Sequence, residues 1–228
     1  MSKKIFMYIF LIIASCVISN IIYHIFYYDK GYSNLDLSKV SKLMIVAHPD
    51  DEILWGGAHL IEDDYLVVCI TCGKSKTRRE EFIEVMDKTN DQYLMLGHSD
   101  KVFGKRSSWK YEYKQIYNEL SNIIKMKNWD IIVTHNVNGE YGHIHHKTTN
   151  RIVTEIVDKN GLSSNLYLFG KYYTKTKIKN VEENLTRIND ELLSKKIILI
   201  NIYKSQDFIK RMFGHMNPYE NWEKYVKD

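Results

Sequence analysis

Apolar residues along this chain fall into two alternating patterns. Short continuous runs lie at 43–47, 65–71, 130–134 and 165–170. Between and around them, at 52–62, 78–96, 110–127 and 143–158, apolar positions recur at helical spacing. A continuous apolar run suits a strand covered on both faces, because successive side chains point to opposite sides of a sheet. The alternation therefore predicts an α/β fold in three layers, with a mostly parallel sheet between two layers of helices. Residues 41–228 carry this pattern as one domain, and no internal repeat or low-complexity linker divides them.

The amino-terminal pattern is of another kind. From Ile5 to Tyr28 there is no Asp, Glu, Lys or Arg. Coiled as a helix this run would be about 36 Å long, against a bilayer hydrocarbon core of about 30 Å. Lys3 and Lys4 precede it, Asp29 and Lys30 follow it, and Tyr23, Tyr27 and Tyr28 stand where an aromatic belt lies. The expected organisation is a short tail at 1–4, one transmembrane signal-anchor helix at 5–28, a juxtamembrane linker at 29–40 and the domain at 41–228. A cleaved signal peptide has a shorter apolar region. Ile13-Ala14-Ser15-Cys16 has the form of a lipidation site, but the apolar run continues beyond it through Val17, Ile18, Ile21 and Ile22. The flanking lysines favour a single-pass protein with a cytoplasmic amino-terminus and, in a bacterium, the domain outside.

Composition narrows the function less than it excludes. The formal net charge is +4, and Lys101, Lys105, Arg106 and Lys110 lie close together, which fits an anionic glycan, a phospholipid surface or simple solubility. Basic residues are interspersed with acidic ones and no recognition motif is present, so nucleic acid is not an expected partner. No G-x-G-x-x-G follows the first strand, and Gly56-Gly57 falls inside an expected helix, which disfavours a nucleotide cofactor. Cys69 and Cys72 form a lone C-x-x-C half inside a strand, without the second pair that a structural zinc site needs.

The chemistry concentrates at two strand ends. The run Leu43 to Val46 leads into Ala47-His48-Pro49-Asp50-Asp51-Glu52, and Ile131 to Thr134 leads toward Asn138-Gly139-Glu140-Tyr141-Gly142-His143-Ile144-His145-His146. Ligands of parallel α/β sheets bind at such carboxyl ends. Acidic residues in a first helical turn are ordinarily caps, which accounts for any one of the carboxylates but not for His48. With a helix opening near Gly142, His143 and His146 share a face and His145 points elsewhere. His59, His98, His135, His145 and His215 are taken as ordinary surface or core histidines. His48, Asp51 and His146 supply the three ligands of a catalytic zinc site whose fourth position holds water, and Asp50 and His143 remain for acid–base work.

These motifs resemble the PIG-L family of zinc-dependent de-N-acetylases, whose hallmarks are a strand ending in A-H-P-D-D-E and a later G-H-x-x-H; here they are Ala47 to Glu52 and Gly142 to His146. Softer matches are Thr71-Cys72-Gly73, Arg78 to Glu81, Leu96-Gly97 and Tyr203 to Gln206, so the likeness runs from about residue 42 to the end. The stretch from Glu81 to Gly97 is longer than the family pattern, as if the helix there had two extra turns. The resemblance implies a Rossmann-like three-layer fold and one zinc ion on His48, Asp51 and His146. It further implies Asp50 as general base and His143, read as protonated, as oxyanion stabiliser; Arg78 and Asp100, just beyond strand or helix ends, are expected to contact sugar hydroxyls. It implies hydrolysis of the acetamide of an N-acetylglucosamine-type sugar on a lipid-linked or surface glycan. Deacetylation of a small soluble N-acetylglucosaminyl metabolite, or non-catalytic glycan binding on the same fold, are the alternatives. The absence of H-E-x-x-H disfavours a protease, and adjacent Asp50 and Asp51 cannot flank a glycosidic bond from opposite sides.

Overall fold

The computed structural model describes residues 3–26 and 32–227, the side chains of residues 3, 20–26 and 33 excepted. A helix α1 covers Lys3–Phe26. The domain then runs β1 (Lys42–Val46), α2 (Asp51–Glu62), β2 (Tyr65–Thr71), α3 (Lys76–Thr89) and β3 (Gln92–His98). A short hairpin, β4 (Lys101–Val102) and β5 (Lys105–Arg106), precedes α4 (Tyr113–Ile124), β6 (Ile131–Thr134), α5 (Gly139–Gly142), α6 (Ile144–Lys159) and β7 (Leu166–Phe169). The chain closes with α7 (Lys175–Ile178), α8 (Asp190–Ile200), α9 (Phe208–Phe213) and β8 (Trp222–Lys224).

The main sheet has the order β3-β2-β1-β6-β7-β8, parallel throughout except for β8, which pairs antiparallel with β7. The period-2 rule shows directly in the core. Leu43, Ile45, Leu66, Val68 and Ile132 face one way, onto Ile116, Leu120 and Ile123 of α4 and Ile152, Val153 and Ile156 of α6. Met44, Val46, Val67, Cys69 and Val133 face the other way, onto Ile53 and Leu60 of α2, Phe82 and Val85 of α3, Leu199 of α8 and Phe213 of α9. This is the expected three-layer, Rossmann-like arrangement. The chain leaves β1 toward β2 and β3 on one side and returns to β6 and β7 on the other, so the connections diverge between β1 and β6. That divergence opens a crevice beyond the carboxyl ends of both strands.

Two expectations differ from what forms. The helix expected over 78–96 stops at Thr89, where Asn90 adopts the left-handed conformation (φ 62°) and closes it, and Gln92–His98 becomes β3 on the edge of the sheet. The apparent two extra helical turns are thus a turn and a strand. The second difference concerns the amino-terminus. A helix does form over most of the expected span, with exposed apolar side chains such as Phe6 and Phe10, but Ser15, Ser19 and Asn20 interrupt the run. Among the described residues no helix is long and apolar enough to cross a membrane. The end of the expected span at 27 and 28, and the start of the linker at 29–31, lie outside the described residues.

Candidate active site

Pro49 ends β1 sharply, and Asp50 takes a left-handed backbone conformation (φ 115°, ψ −28°) rarely occupied by residues with a side chain. The turn brings His48 and Asp51 together beyond the carboxyl end of β1. Asp51 and Glu52 open α2, and Asp51 Oδ2 accepts the His48 backbone N–H at 2.8 Å. Beyond β6, His143 is the N-cap of α6, its Nδ1 accepting the His145 N–H at 3.2 Å, and the first turn of α6 delivers His145 and His146.

The two loops meet. His48 Nδ1 lies 3.1 Å from Asp51 Oδ2, Asp51 Oδ1 lies 3.2 Å from His146 Nε2, and His146 Nε2 lies 3.4 Å from His48 Nδ1. Ligands bonded tetrahedrally to zinc at 2.0–2.1 Å are about 3.3 Å apart, so the two ring nitrogens, each against a different oxygen of the Asp51 carboxylate, have the spacing of a metal's coordination sphere. Among the described residues, three overlapping groups have ligand atoms close enough together to hold a cation: His48 with His143 and His146, His48 with Asp100 and His145, and Asp51 with His135 and His146. The competing ring nitrogens are already engaged. His135 bonds Glu140 Oε2 at 3.0 Å through Nδ1 and accepts the Ala47 N–H at 3.0 Å through Nε2. His145 bonds the Ser107 carbonyl at 2.7 Å and His48 Nε2 at 2.9 Å.

Glu140 organises the rear of the site. Its carboxylate receives His135 Nδ1, His146 Nδ1 and the Asn136 backbone N–H, which fixes the His146 ring with Nε2 toward Asp51. Glu140 itself sits at φ 53° inside α5, a strained position for a residue with a Cβ. Burial disfavours a charged His146, yet Asp51 and Glu140 outweigh it and push its pKa up to about 10. A positive charge is therefore favoured between these carboxylates, which suits a cation.

Asp50 and Arg78 stand beside this cluster. The Arg78 guanidinium lies 3.7 Å from Asp50 Oδ1 and donates to the Pro49 carbonyl, while its Nε is buried without a partner. Burial and then Asp51 raise the Asp50 carboxyl well above the usual range, with Arg78 opposing. His143 behaves otherwise than expected. Burial first, then the His146 and His48 charges, hold its pKa down to about 2, so the ring is neutral. With Nδ1 accepting from His145, the proton of that neutral ring resides on Nε2.

His48, Asp50, Asp51, Arg78 and His143 border a cleft of about 380 Å³, and His146 is buried behind them. Its lining includes the basic residues Arg78, Lys101 and Arg106 and the apolar or aromatic residues Leu54, Tyr141, Phe208 and Phe213. Asp100 reaches its edge, but its carboxylate is engaged by Arg106 and lies 3.5 Å from His48 Nε2. A direct substrate contact there competes with both.

A family model described as GlcNAc-PI de-N-acetylase, PIG-L, matches residues 43–157, which include both histidine clusters. The chain belongs to the PIG-L family. An uncharacterised protein of Acanthamoeba polyphaga mimivirus is 36% identical over 197 residues, covering 78% of this chain and 77% of that protein. Two solved structures show how widely the PIG-L fold is shared. The N,N'-diacetylchitobiose deacetylase of Pyrococcus horikoshii has a TM-score of 0.60 at 14% identity, over 92% of this chain and 91% of its own. A 4-carboxy-2-hydroxymuconate hydratase of Pseudomonas putida has a TM-score of 0.56 at 13% identity, over 78% and 84%. At such identities the likeness is one of fold.

The softer PIG-L motifs have structural reasons. Thr71 Oγ1 donates to the Ala47 carbonyl at 2.8 Å and braces the end of β1. Glu81 accepts the Ser205 backbone N–H at 2.8 Å and the Ser205 hydroxyl at 2.5 Å, and Tyr203 donates to Glu52, so the Y-x-S-Q segment ties α3 to the helix carrying Asp51. Taking His135 and His145 as ordinary missed two residues that touch the site. His135 stacks on His146 at 3.8 Å, and its signal was its place at the end of β6. His145 was discarded on helical phase, which fails because His143 is extended and α6 begins one residue later.

Proposed function

We propose that this chain is a zinc-dependent hydrolase that removes the acetyl group from an N-acetylated amino sugar of the N-acetylglucosamine type. The observation that carries this is the triangle of His48 Nδ1, Asp51 and His146 Nε2 at 3.1–3.4 Å, with Asp50 alongside and a cleft in front. In this reading His48, Asp51 and His146 hold one zinc ion. Zinc, when bound, acts as a Lewis acid and lowers the pKa of a coordinated water to about 7.

The remaining steps belong to the chain's own residues. Asp50 takes a proton from the attacking water, so that a hydroxide equivalent adds to the acetamide carbon. The Nε2–H of neutral His143 donates to the carbonyl oxygen as negative charge develops there; an imidazolium is not required. Asp50 then returns its proton to the nitrogen, the C–N bond breaks, and acetate and a free amine leave. Arg78 holds Asp50 in place.

The cleft supports a glycoside whose aglycone is partly apolar and anionic, because its lining includes Phe208 and Phe213 as well as Lys101 and Arg106. A lipid-linked or surface glycan has that character. The proposed location rests on the sequence alone: attachment to a membrane through residues 5–28, which resistance to alkaline extraction from membranes checks. Acetate release across N-acetylglucosaminyl lipids, oligosaccharides and small soluble glycosides tests the whole reading. Release from at least one class, abolished by a chelator and restored by zinc, is expected; no release from any class by zinc-loaded protein contradicts it.

A further inference from the structure

Resting on the reading of His48 as a metal ligand, we infer that His145 is a positioning residue that sets the tautomer of His48 through a relay starting at the Ser107 carbonyl. A carbonyl oxygen only accepts, so the 2.7 Å contact with His145 Nε2 places the His145 proton on that nitrogen. His145 Nδ1 is then an acceptor, and it lies 2.9 Å from His48 Nε2, which must donate. With its proton on Nε2, His48 turns the lone pair of Nδ1 toward Asp51 and His146.

The relay matters because the alternative tautomer is locally attractive. His48 Nδ1 is 3.1 Å from Asp51 Oδ2, so a proton on that nitrogen would make a good bond to the carboxylate. That proton would occupy the direction in which a cation must bind, and uptake would first have to displace it. Asp100 is the other acceptor near His48 Nε2, but at 3.5 Å it is more distant and is already engaged by Arg106. Arg106 also argues against a second cation between His48, Asp100 and His145, since a dication would face its guanidinium.

The frame of the relay is built for rigidity. The Trp109 indole stacks on His145 with centroids 4.0 Å apart and planes 1° from parallel, and its Nε1–H donates to the Ser99 carbonyl at 2.8 Å. Trp109 sits at φ 55°, and its backbone N–H bonds the Ser107 hydroxyl at 3.2 Å, so the strained turn presents the Ser107 carbonyl to His145. These contacts assign a role to a residue pair, Ser107 and Trp109, outside the family motifs.

Three variants of the full chain separate acceptor from packing. His145→Asn keeps an acceptor near the place of Nδ1, His145→Gln keeps a donor near that of Nε2, and His145→Phe keeps only the ring against Trp109. Zinc affinity is read by competition with a chromophoric chelator, and the His48 tautomer by long-range proton–nitrogen correlation in the metal-free chain. The expected result is Nε2-protonated His48 in the wild type. His145→Phe should move that proton to Nδ1 and weaken zinc binding about ten- to a hundredfold, the usual effect of losing a partner behind a metal ligand. His145→Asn should stay within about threefold of wild type, and His145→Gln should follow the Phe variant. Nδ1-protonated His48 in the wild type overturns the inference. So do wild-type affinity in His145→Phe, an Asn variant as weak as the Phe variant, or uptake of two zinc equivalents. If the Phe variant does not fold, the wild-type tautomer decides alone. A wild type that takes up no zinc contradicts the metal site itself and leaves the tautomer measurement to be judged separately.

Discussion

At the level of single residues, the site is a division of labour among groups that the backbone places within a few ångströms. Asp50 and Asp51 are sequence neighbours with the same chemistry, yet Asp50 sits in a left-handed turn facing Arg78 and the cleft while Asp51 faces two imidazoles. The account expects Asp50→Asn to lower acetate release about 10²- to 10⁴-fold while the chain still binds one zinc, the range for losing a general base. His146→Ala should abolish both zinc binding and turnover, with the far-ultraviolet circular dichroism of the folded chain retained. Undiminished turnover in either variant would refute the assigned roles. The first and last of these residues were legible in the sequence because A-H-P-D-D-E and G-H-x-x-H are compact patterns at strand ends. His135 and His145 were harder to find, because their roles are set by hydrogen bonding across 88 and 97 residues of chain, and Glu140 because its role depends on the tautomers of the two histidines it receives, none of which local spacing encodes.

At the level of elements, apolar runs located β1, β2, β6 and β7 to within a residue at each end, since a strand buried on both faces leaves a continuous apolar signature. β3 escaped because Gln92, Tyr93 and Gly97 are only partly buried at the sheet edge and its run continues the helical spacing of α3. The signal that marks the break is Asn90-Asp91: a left-handed helix cap, then a buried carboxylate that accepts the Tyr65 N–H at 2.7 Å. Burial pushes the Asp91 carboxyl from an ordinary 3.8 up to about 7, with the Thr89 and Tyr65 bonds opposing. The native state therefore holds this proton more tightly than the unfolded chain. Its contribution to stability is greatest below pH about 4, is lost as pH rises toward about 7, and is constant above. In thermal melts, wild type minus Asp91→Asn should be more positive at pH 5 than at pH 8. A difference that is flat with pH, or that grows toward pH 8, contradicts the assignment.

For the whole molecule, topology does what no single segment does. The connections part between β1 and β6, and the crevice so formed receives one histidine cluster from each side. The same fold supports a deacetylase in one solved relative and a hydratase in another, so the activity follows from the side chains in the crevice and not from the sheet beneath them. The amino-terminal run shows the opposite limit: its composition was plain in the sequence, yet among the described residues it forms no helix long and apolar enough to cross a membrane. The most direct measurement of the central claim is zinc-edge anomalous diffraction from crystals of the zinc-loaded protein. The account predicts one ion bonded to His48 Nδ1, an Asp51 carboxylate oxygen and His146 Nε2. An ion bound elsewhere, or bound through His48 Nε2, would contradict it.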